Sequence, residues 1–386
     1  MNVLQTIGGF GAKGGGTSTC TYDLLSAIHA LLETPVVDLL TPSVTDQTDH
    51  IMGKDESWIK VVENDYFSPL SISRNMTRFL QDSDYDIYHT NGMWMHINHV
   101  TCSIARDKRK PYVISPHGML YPEALARNAW KKWPLRKFWF DKDIMNASCI
   151  HATCEVEKNH IRALGYCGPI AVIGNPVAIH ECTQELFLNR KYKDGVSVRI
   201  GFLGRLHPIK KIENIIQALS HIESRKIELI IIGKGDENYE KLLRSEAKSL
   251  GVESNIHFLG FLTGKEKFEQ LAQLDALFVP SDMENFGMII PEALLTGTPV
   301  MASLGTPWEA LNQEKCGWWC DNSPETIAGV INEVNSLSSD ELRRKGTRGR
   351  DYVLTHFAAD RVASQMHALY LWLNGEAEKP EFVFTR

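Results

Sequence analysis

The sequence predicts an α/β protein built from two doubly wound parallel-sheet domains, and three observations carry that prediction. The strand-length segments are continuous Val/Ile/Leu-rich runs rather than alternating ones, the pattern of strands covered on both faces. Amphipathic segments of helix length lie between them. The runs are also too numerous for one comfortable sheet, and a polar stretch, HECTQELFLNRKYKDGVS at 180–197, interrupts the alternation near the middle of the chain of 386 residues.

In order, the expected strands are NVLQTI (2–7), TPVVDLL (34–40), DIYHTNG (86–92), PYVISPHG (111–118), CIHATC (149–154) and PIAVIGN (169–175) in the first half. VRIGFLG (198–204), IELIIIG (227–233), NIHFLG (255–260), ALFVPS (276–281) and PVMAS (299–303) follow in the second. IENIIQALSHIES (212–224) and EKLLRSEAKSLG (240–251) have helical spacing. The tail after THFAAD continues as RVASQMHALYLWLNG, whose Leu and Trp residues need another surface to cover them. The expected domains are therefore 1–176, with a C-terminal helix at about 361–386 packing back on it, and 177–360.

Apolar residues at 43% and charged residues at 23% mark a folded chain, and a formal net charge of −6 argues against nucleic acid as a partner. Eight cysteines occur with no CxxC spacing, which suits reduced, buried thiols. No apolar stretch reaches transmembrane length, and the first residues lack the pattern of a signal peptide, so the expectation is a cytoplasmic protein.

Three segments carry candidate chemistry. In PSDMENFGMIIPEALLTGTPVM (280–301), strand, loop and helix follow one another, with Pro291 in the first helical turn. Ligands of such units lie beyond the carboxyl ends of strands, against helix N-termini. Glu284 falls in that loop and Glu292 about one turn into the helix, and a carboxylate can hold a vicinal diol by accepting two hydrogen bonds. Solvated surface glutamates are the plain alternative. In GFLGRLHPIKKIENIIQAL (201–219), Arg205 and Lys210 fall in a loop over the same carboxyl edge, where two cations can neutralise a diphosphate without a metal. In GFGAKGGGTSTCTYDLL (9–25), the glycines at 14 to 16 allow backbone N–H groups to approach an anion or a sugar. This last is neither GxGxxG nor a P-loop.

Taken together, GRLHPIKK, IIGKGDENYEKL, FLGFLTGKEKFEQLAQLDALFVPS, ENFGMIIPEALLTGTPV and GGGTSTCTYDL resemble the retaining glycosyltransferases of family 4. The resemblance spans nearly the whole chain and is strongest over 198–310. It implies the GT-B fold, two Rossmann-like domains facing a central cleft. It also implies a nucleoside diphosphate sugar (UDP- or GDP-linked) as donor substrate, with no metal and no cofactor. By that resemblance Arg205 and Lys210 hold the donor diphosphate, Glu292 binds the ribose hydroxyls, and Glu284 faces the transferred sugar beside Asn285, Phe286 and Gly287. Met288, Ile289 and Ile290 offer N–H groups to phosphate, Leu262 lies near the base, and Gly15 and Gly16 approach the diphosphate. His117 sits near the anomeric carbon and Asn91 on the acceptor side. The sequence departs from the family at Lys211, where glycine is usual, at Thr19, where arginine is frequent, and at GNP (174–176) in place of PNG.

RNAWKKWPLRKFWF (127–140) gathers five cations and five aromatics. Such a segment suits an anionic membrane surface, or else packs its rings into the core. The expected reaction is transfer of a hexose-type sugar to a glycan or lipid-linked acceptor hydroxyl in bacterial surface polysaccharide assembly, on the inner face of the plasma membrane. A nucleotide-sugar epimerase or hydrolase, and a non-catalytic nucleotide-sugar-binding subunit, stand as alternatives.

Overall fold

The structure, a computed structural model, describes residues 1–11, 15–32, 37–46, 48–67, 71–193, 197–222 and 226–385. Gly14 and the start of the expected strand 34–40 lie outside the described residues, as do 194–196 of the polar stretch and the end of the expected helix 212–224. The chain divides into two compact units, residues 1–176 with 359–386, and residues 177–358.

The first unit holds β1 (Val3–Ile7), β2 (Val37–Pro42), β3 (Ile59–Val62), β4 (Ile87–Asn91), β5 (Tyr112–Ser115), β6 (Cys149–Ala152) and β7 (Ile170–Val172). The second holds β8 (Val198–Leu203), β9 (Ile227–Ile232), β10 (Ile256–Gly260), β11 (Ala276–Val279), β12 (Val300–Ser303) and β13 (Gly317–Cys320). A last strand, β14 (Val383–Phe384), returns to the first unit. The sheets run β14-β7-β6-β5-β4-β1-β2-β3 and β10-β9-β8-β11-β12-β13. All strands are parallel except β14, which pairs antiparallel with β7. Strand order therefore reverses between β1 and β4 in one unit and between β8 and β11 in the other. Those two points are where an open α/β sheet leaves room for a ligand.

Alternation along β9 shows why its run is apolar throughout. Leu229 and Ile231 join a cluster with Ile215 and Ile327, while Ile230 and Ile232 join another with Leu271 and Leu294. Both faces are covered, and each fully buried aliphatic side chain contributes roughly 1.5–3 kcal/mol relative to exposure. β1 divides in the same way, Val3 packing with Leu25 and Met366, and Leu4 with Val100 and Ile114.

Four segments differ from the sequence expectation. β3 and β13 are four-residue edge strands, too short to show a period. The tail is not helical to its end, because the helix Ala359–Leu373 stops at Gly375. Gly375 takes φ 75° and donates its N–H to the Trp372 carbonyl, after which the chain turns into β14. The polar stretch 180–197 lies inside the second unit, which begins at Val177, and contributes the helix Glu181–Leu188.

Candidate functional site

The loop after β8 begins at Gly204 and carries Arg205, whose side chain is exposed. A short 3₁₀ turn, Pro208–Lys210, follows, with the His207 ring accepting from the Ile209 N–H at 3.2 Å. Lys211 closes the turn at φ 53°, ψ 42°, a left-handed conformation that costs an L-residue roughly 1–2 kcal/mol. That is the physical sense of the family's glycine at this position. Lys211 pairs instead with Asp282 at 3.4 Å and Glu213 at 3.9 Å.

The loop after β11 lies beside it. The Asp282 N–H donates to the Ile209 carbonyl at 2.8 Å and ties the two loops together. Glu284 is paired with Lys210, and the same carboxylate oxygen accepts from the Ser281 hydroxyl at 2.9 Å. Both charged side chains are mostly buried, 17% and 14% exposed, which limits solvent screening of the pair. Phe286 is buried against Trp308 and Phe357, and its carbonyl accepts from the Trp308 indole N–H at 2.5 Å. Asn285 and Gly287 complete the turn that brings the chain to the helix Ile289–Leu295.

Glu292 lies in the first turn of that helix and pairs with Lys267 of the helix Gly264–Ala272 at 2.8 Å. The two glutamates thus have separate cationic partners, and Lys267 is a residue that sequence reasoning missed. The expectation for Ile290 needs correction, since its N–H is donated to the Gly287 carbonyl at 2.9 Å and closes the turn. Met288, half-buried, occupies the N-cap position of the helix and precedes Ile289 there. Leu262 is partly buried against the core of this unit, next to Phe261, which is 66% exposed.

In the first unit, Gly15 caps the helix Gly16–Leu31, and at both glycines an added Cβ meets no atom of the described residues within 4 Å. Packing among the described residues does not demand glycine at either position, but the backbone does at Gly15, which takes φ 82°. Asn91 ends β4 and His117 follows β5, and the structure brings them together: the His117 Nε2 lies 3.2 Å from the Asn91 Oδ1. His117 has φ 50°, in a turn secured by the buried Glu157 carboxylate. That carboxylate accepts from the Gly118 N–H at 2.6 Å and from the Thr153 N–H at 2.8 Å. A non-glycine residue in this conformation persists only where its surroundings hold it. Burial, then His151, pushes the His117 imidazole down to about 3, so it is neutral near pH 7.

A small cavity in this unit is lined by Thr21, His89, Asn91, His117, His151 and Asn175, among others. His89 and His151 were not among the sequence candidates. The signal was present in HTN, where period two places His89 and Asn91 on one face of β4. Among the described residues no group of three or more His, Cys, Asp or Glu side chains is arranged to hold a metal ion.

The basic aromatic segment divides between core and solvent. Phe140 is buried and Trp139 packs on the same cluster, whereas Trp130, Trp133 and Phe138 are 75%, 62% and 70% exposed. Lys131 lies 5.2 Å from the Trp130 ring centroid and Lys137 5.1 Å from that of Trp133. Among the described residues no helix is long and apolar enough to cross a membrane.

The geometry defines a two-unit doubly wound α/β protein with polar side chains gathered at the switch point of each sheet. Residues 187–350 match the family described as Glycosyl transferases group 1, and residues 15–176 match the Glycosyl transferase 4-like domain. Between them the two matches take in most of the chain, which belongs to the family 4 type of glycosyltransferases with the GT-B fold.

An uncharacterized glycosyltransferase of Methanocaldococcus jannaschii is 35% identical over 138 residues, 35% of each chain. The D-inositol 3-phosphate glycosyltransferase of Jonesia denitrificans is 27% identical over 60% of this chain and 55% of its own. The chain thus spans from about a third to about half of the length of these relatives. Among solved structures, a glycosyltransferase from Rickettsia africae superimposes with a TM-score of 0.75 at 17% identity, covering 97% of this chain and 99% of that one. The Anabaena protein HepE in complex with UDP does so at 0.73 and 19%, covering 96% and 99%.

Proposed function

We propose that this protein transfers a sugar from a nucleoside diphosphate sugar to an acceptor hydroxyl, with retention at the anomeric carbon and without a metal. The carrying observation is the Lys210–Glu284 pair at the β8/β11 switch point, with Arg205 exposed in the same loop. Lys210 and Arg205 supply fixed positive charge where the leaving diphosphate develops its negative charge. Glu284 accepts hydrogen bonds from hydroxyls of the transferred sugar, and Glu292 does so from the ribose. As the bond from the anomeric carbon to the diphosphate oxygen breaks, the acceptor oxygen bonds to that carbon. The acceptor proton passes to the departing phosphate oxygen on the same face. His117, neutral, and Asn91 are polar groups that the first unit offers to a hydroxyl-bearing ligand.

A relative named as a GDP-mannose-dependent mannosyltransferase in Mycobacterium tuberculosis and a structural neighbour solved with UDP support a nucleotide sugar as donor. The acceptor in this reading is a glycan or lipid-linked glycan of bacterial surface polysaccharide assembly. The exposed Trp130, Trp133 and Phe138, with Lys131 and Lys137 beside them, hold the protein on the anionic inner face of the plasma membrane.

A thermal-shift panel of UDP, GDP and their sugars tests the donor. One base should raise the unfolding midpoint, and no response to any nucleotide would overturn the reading. Calorimetry should then show Glu292→Ala weakening that ligand by roughly 1.5–3 kcal/mol, the range for hydrogen bonds to a charged group. Unchanged affinity would remove Glu292 from the site.

A further inference from the structure

Beneath the helix Ala359–Leu373, six side chains on β1, β4, β5, β6 and that helix, together with His117 after β5, form an unbroken series of hydrogen-bond contacts. His117 Nε2 lies 3.2 Å from Asn91 Oδ1, and Asn91 Nδ2 2.8 Å from Gln5 Oε1. Gln5 Nε2 lies 2.8 Å from the Tyr370 hydroxyl, which is 2.6 Å from His89 Nδ1. His89 Nε2 is 2.6 Å from Ser115 Oγ, and that oxygen is 2.7 Å from His151 Nδ1. The series ends with His151 Nε2 at 2.8 Å from the Ile173 carbonyl. Apart from the half-buried His117, every contributing side chain is buried.

The far end sets the direction of every link. A carbonyl only accepts, so His151 carries its proton on Nε2. Burial pulls His151 down to about 4 and His89 well below its ordinary value, so both rings are neutral and offer one lone pair each. His151 Nδ1 therefore accepts, and Ser115 must donate to it. The Ser115 oxygen then accepts from His89 Nε2–H, which leaves His89 Nδ1 to accept from the Tyr370 hydroxyl. Tyr370, its proton committed, accepts from the Gln5 amide. Gln5 turns its oxygen to Asn91, and Asn91 turns its own oxygen to His117. Reversal is barred, because the Ile173 carbonyl has no proton to give.

We propose that this one-way chain locks His117 as the Nε2–H tautomer, with Tyr370 of the C-terminal helix as a positioning residue, so that His117 presents Nδ1 as a hydrogen-bond acceptor. No partner of Nδ1 is found among the described residues. A neutral ring so fixed takes a hydroxyl or another donor at Nδ1 and gives nothing to a phosphate oxygen there. Naming that hydroxyl as one of the transferred sugar rests on the transferase reading; the tautomer does not.

The test is tautomer-resolving NMR on the full chain labelled with ¹⁵N-histidine, without ligand, at pH 7.5. His89, His117 and His151 are assigned from single His→Gln variants. Wild type should show all three neutral and protonated on Nε2. Ser115→Ala and Tyr370→Phe each remove one hydroxyl and the two links it makes, freeing the amides of Gln5 and Asn91 to reverse and His117 to populate Nδ1–H. A change at His117 in either folded variant supports the chain. A proton on Nδ1 of His117 in wild type overturns it, and so does an unchanged His117 in the folded variants. The wild-type spectrum decides the tautomer even where a variant fails to fold. Failure here leaves the nucleotide panel untouched, so the two readings fall separately.

Discussion

Lys210 is held before any ligand arrives. Its ammonium is paired with Glu284, and Glu284 is in turn held by the Ser281 hydroxyl. A cation fixed in this way needs little reorganisation when charge develops on a leaving group, which is the condition under which electrostatic stabilisation is largest. Lys210→Ala should therefore lower kcat by roughly 10²–10³-fold, the loss seen when one fixed donor to a developing anion is removed. Steady-state kinetics with the donor picked out by the nucleotide panel would check this, and an unaltered kcat would take Lys210 out of the chemistry. Lys267 plays the same holding part for Glu292 at 2.8 Å. Glu284 and Lys210 were legible in the sequence because each stands in a short loop next to a recognisable strand end. Lys267 was not, since its partner lies 25 residues further on and nothing local announces the pairing.

Among the elements, the carboxyl ends of β8 and β9 approach so closely that glycine is obligatory at one of them. Gly233 has φ 145°, and a Cβ built there would lie 1.8 Å from the Gly204 carbonyl oxygen. Both atoms belong to or extend from backbone, so relief requires the strands to move. Gly233→Ala should cost roughly 2–4 kcal/mol. Gly329 is a contrast, lying inside the helix Pro324–Ser336 with no described residue beyond its own helical turn within 4 Å of the added atom. Gly329→Ala should raise stability by about 0.5–1 kcal/mol. Denaturant midpoints of the two variants decide both. The segment 127–140 is a second element with a consequence. Its outward rings and the cations over them should float the protein with vesicles containing anionic lipid at low salt, and Trp130→Ala with Trp133→Ala should abolish flotation. Binding that survives the double replacement would place the contact elsewhere.

For the molecule as a whole, the buried histidines of the first unit set how stability responds to acid. An unfolded histidine titrates near pH 6.5, whereas burial pulls His151 down to about 4, His117 to about 3 and His89 well below its ordinary value. Across that interval the unfolded chain takes up protons that the folded chain refuses. Their contribution is complete above pH 6.5 and declines as pH falls, by about 1.4 kcal/mol per pH unit for each histidine. The carboxylates lowered by their hydrogen bonds, Asp321 and Glu341 among them, act in the same direction only nearer pH 4. Unfolding midpoints should stay nearly level down to about pH 6.5 and fall from there to pH 5, and His151→Gln should flatten that slope. A midpoint that rises on acidification would contradict the assignment of these rings as neutral.

Pattern and composition determined the doubly wound class, eleven of the fourteen strands among the described residues, the loops that hold Arg205, Lys210, Glu284 and His117, and the helix start that holds Glu292. Continuous apolar runs and turn residues are local properties, written where they act. Only the tertiary structure decided that Glu284 meets Lys210 while Glu292 meets Lys267. It alone decided that the Ile290 N–H is spent within its own turn, and that Tyr370 reaches His89 from a helix 281 residues away. Pairings of this kind depend on which strand ends the sheet order makes neighbours. No local spacing encodes that order, because it emerges from packing both faces of each sheet at once.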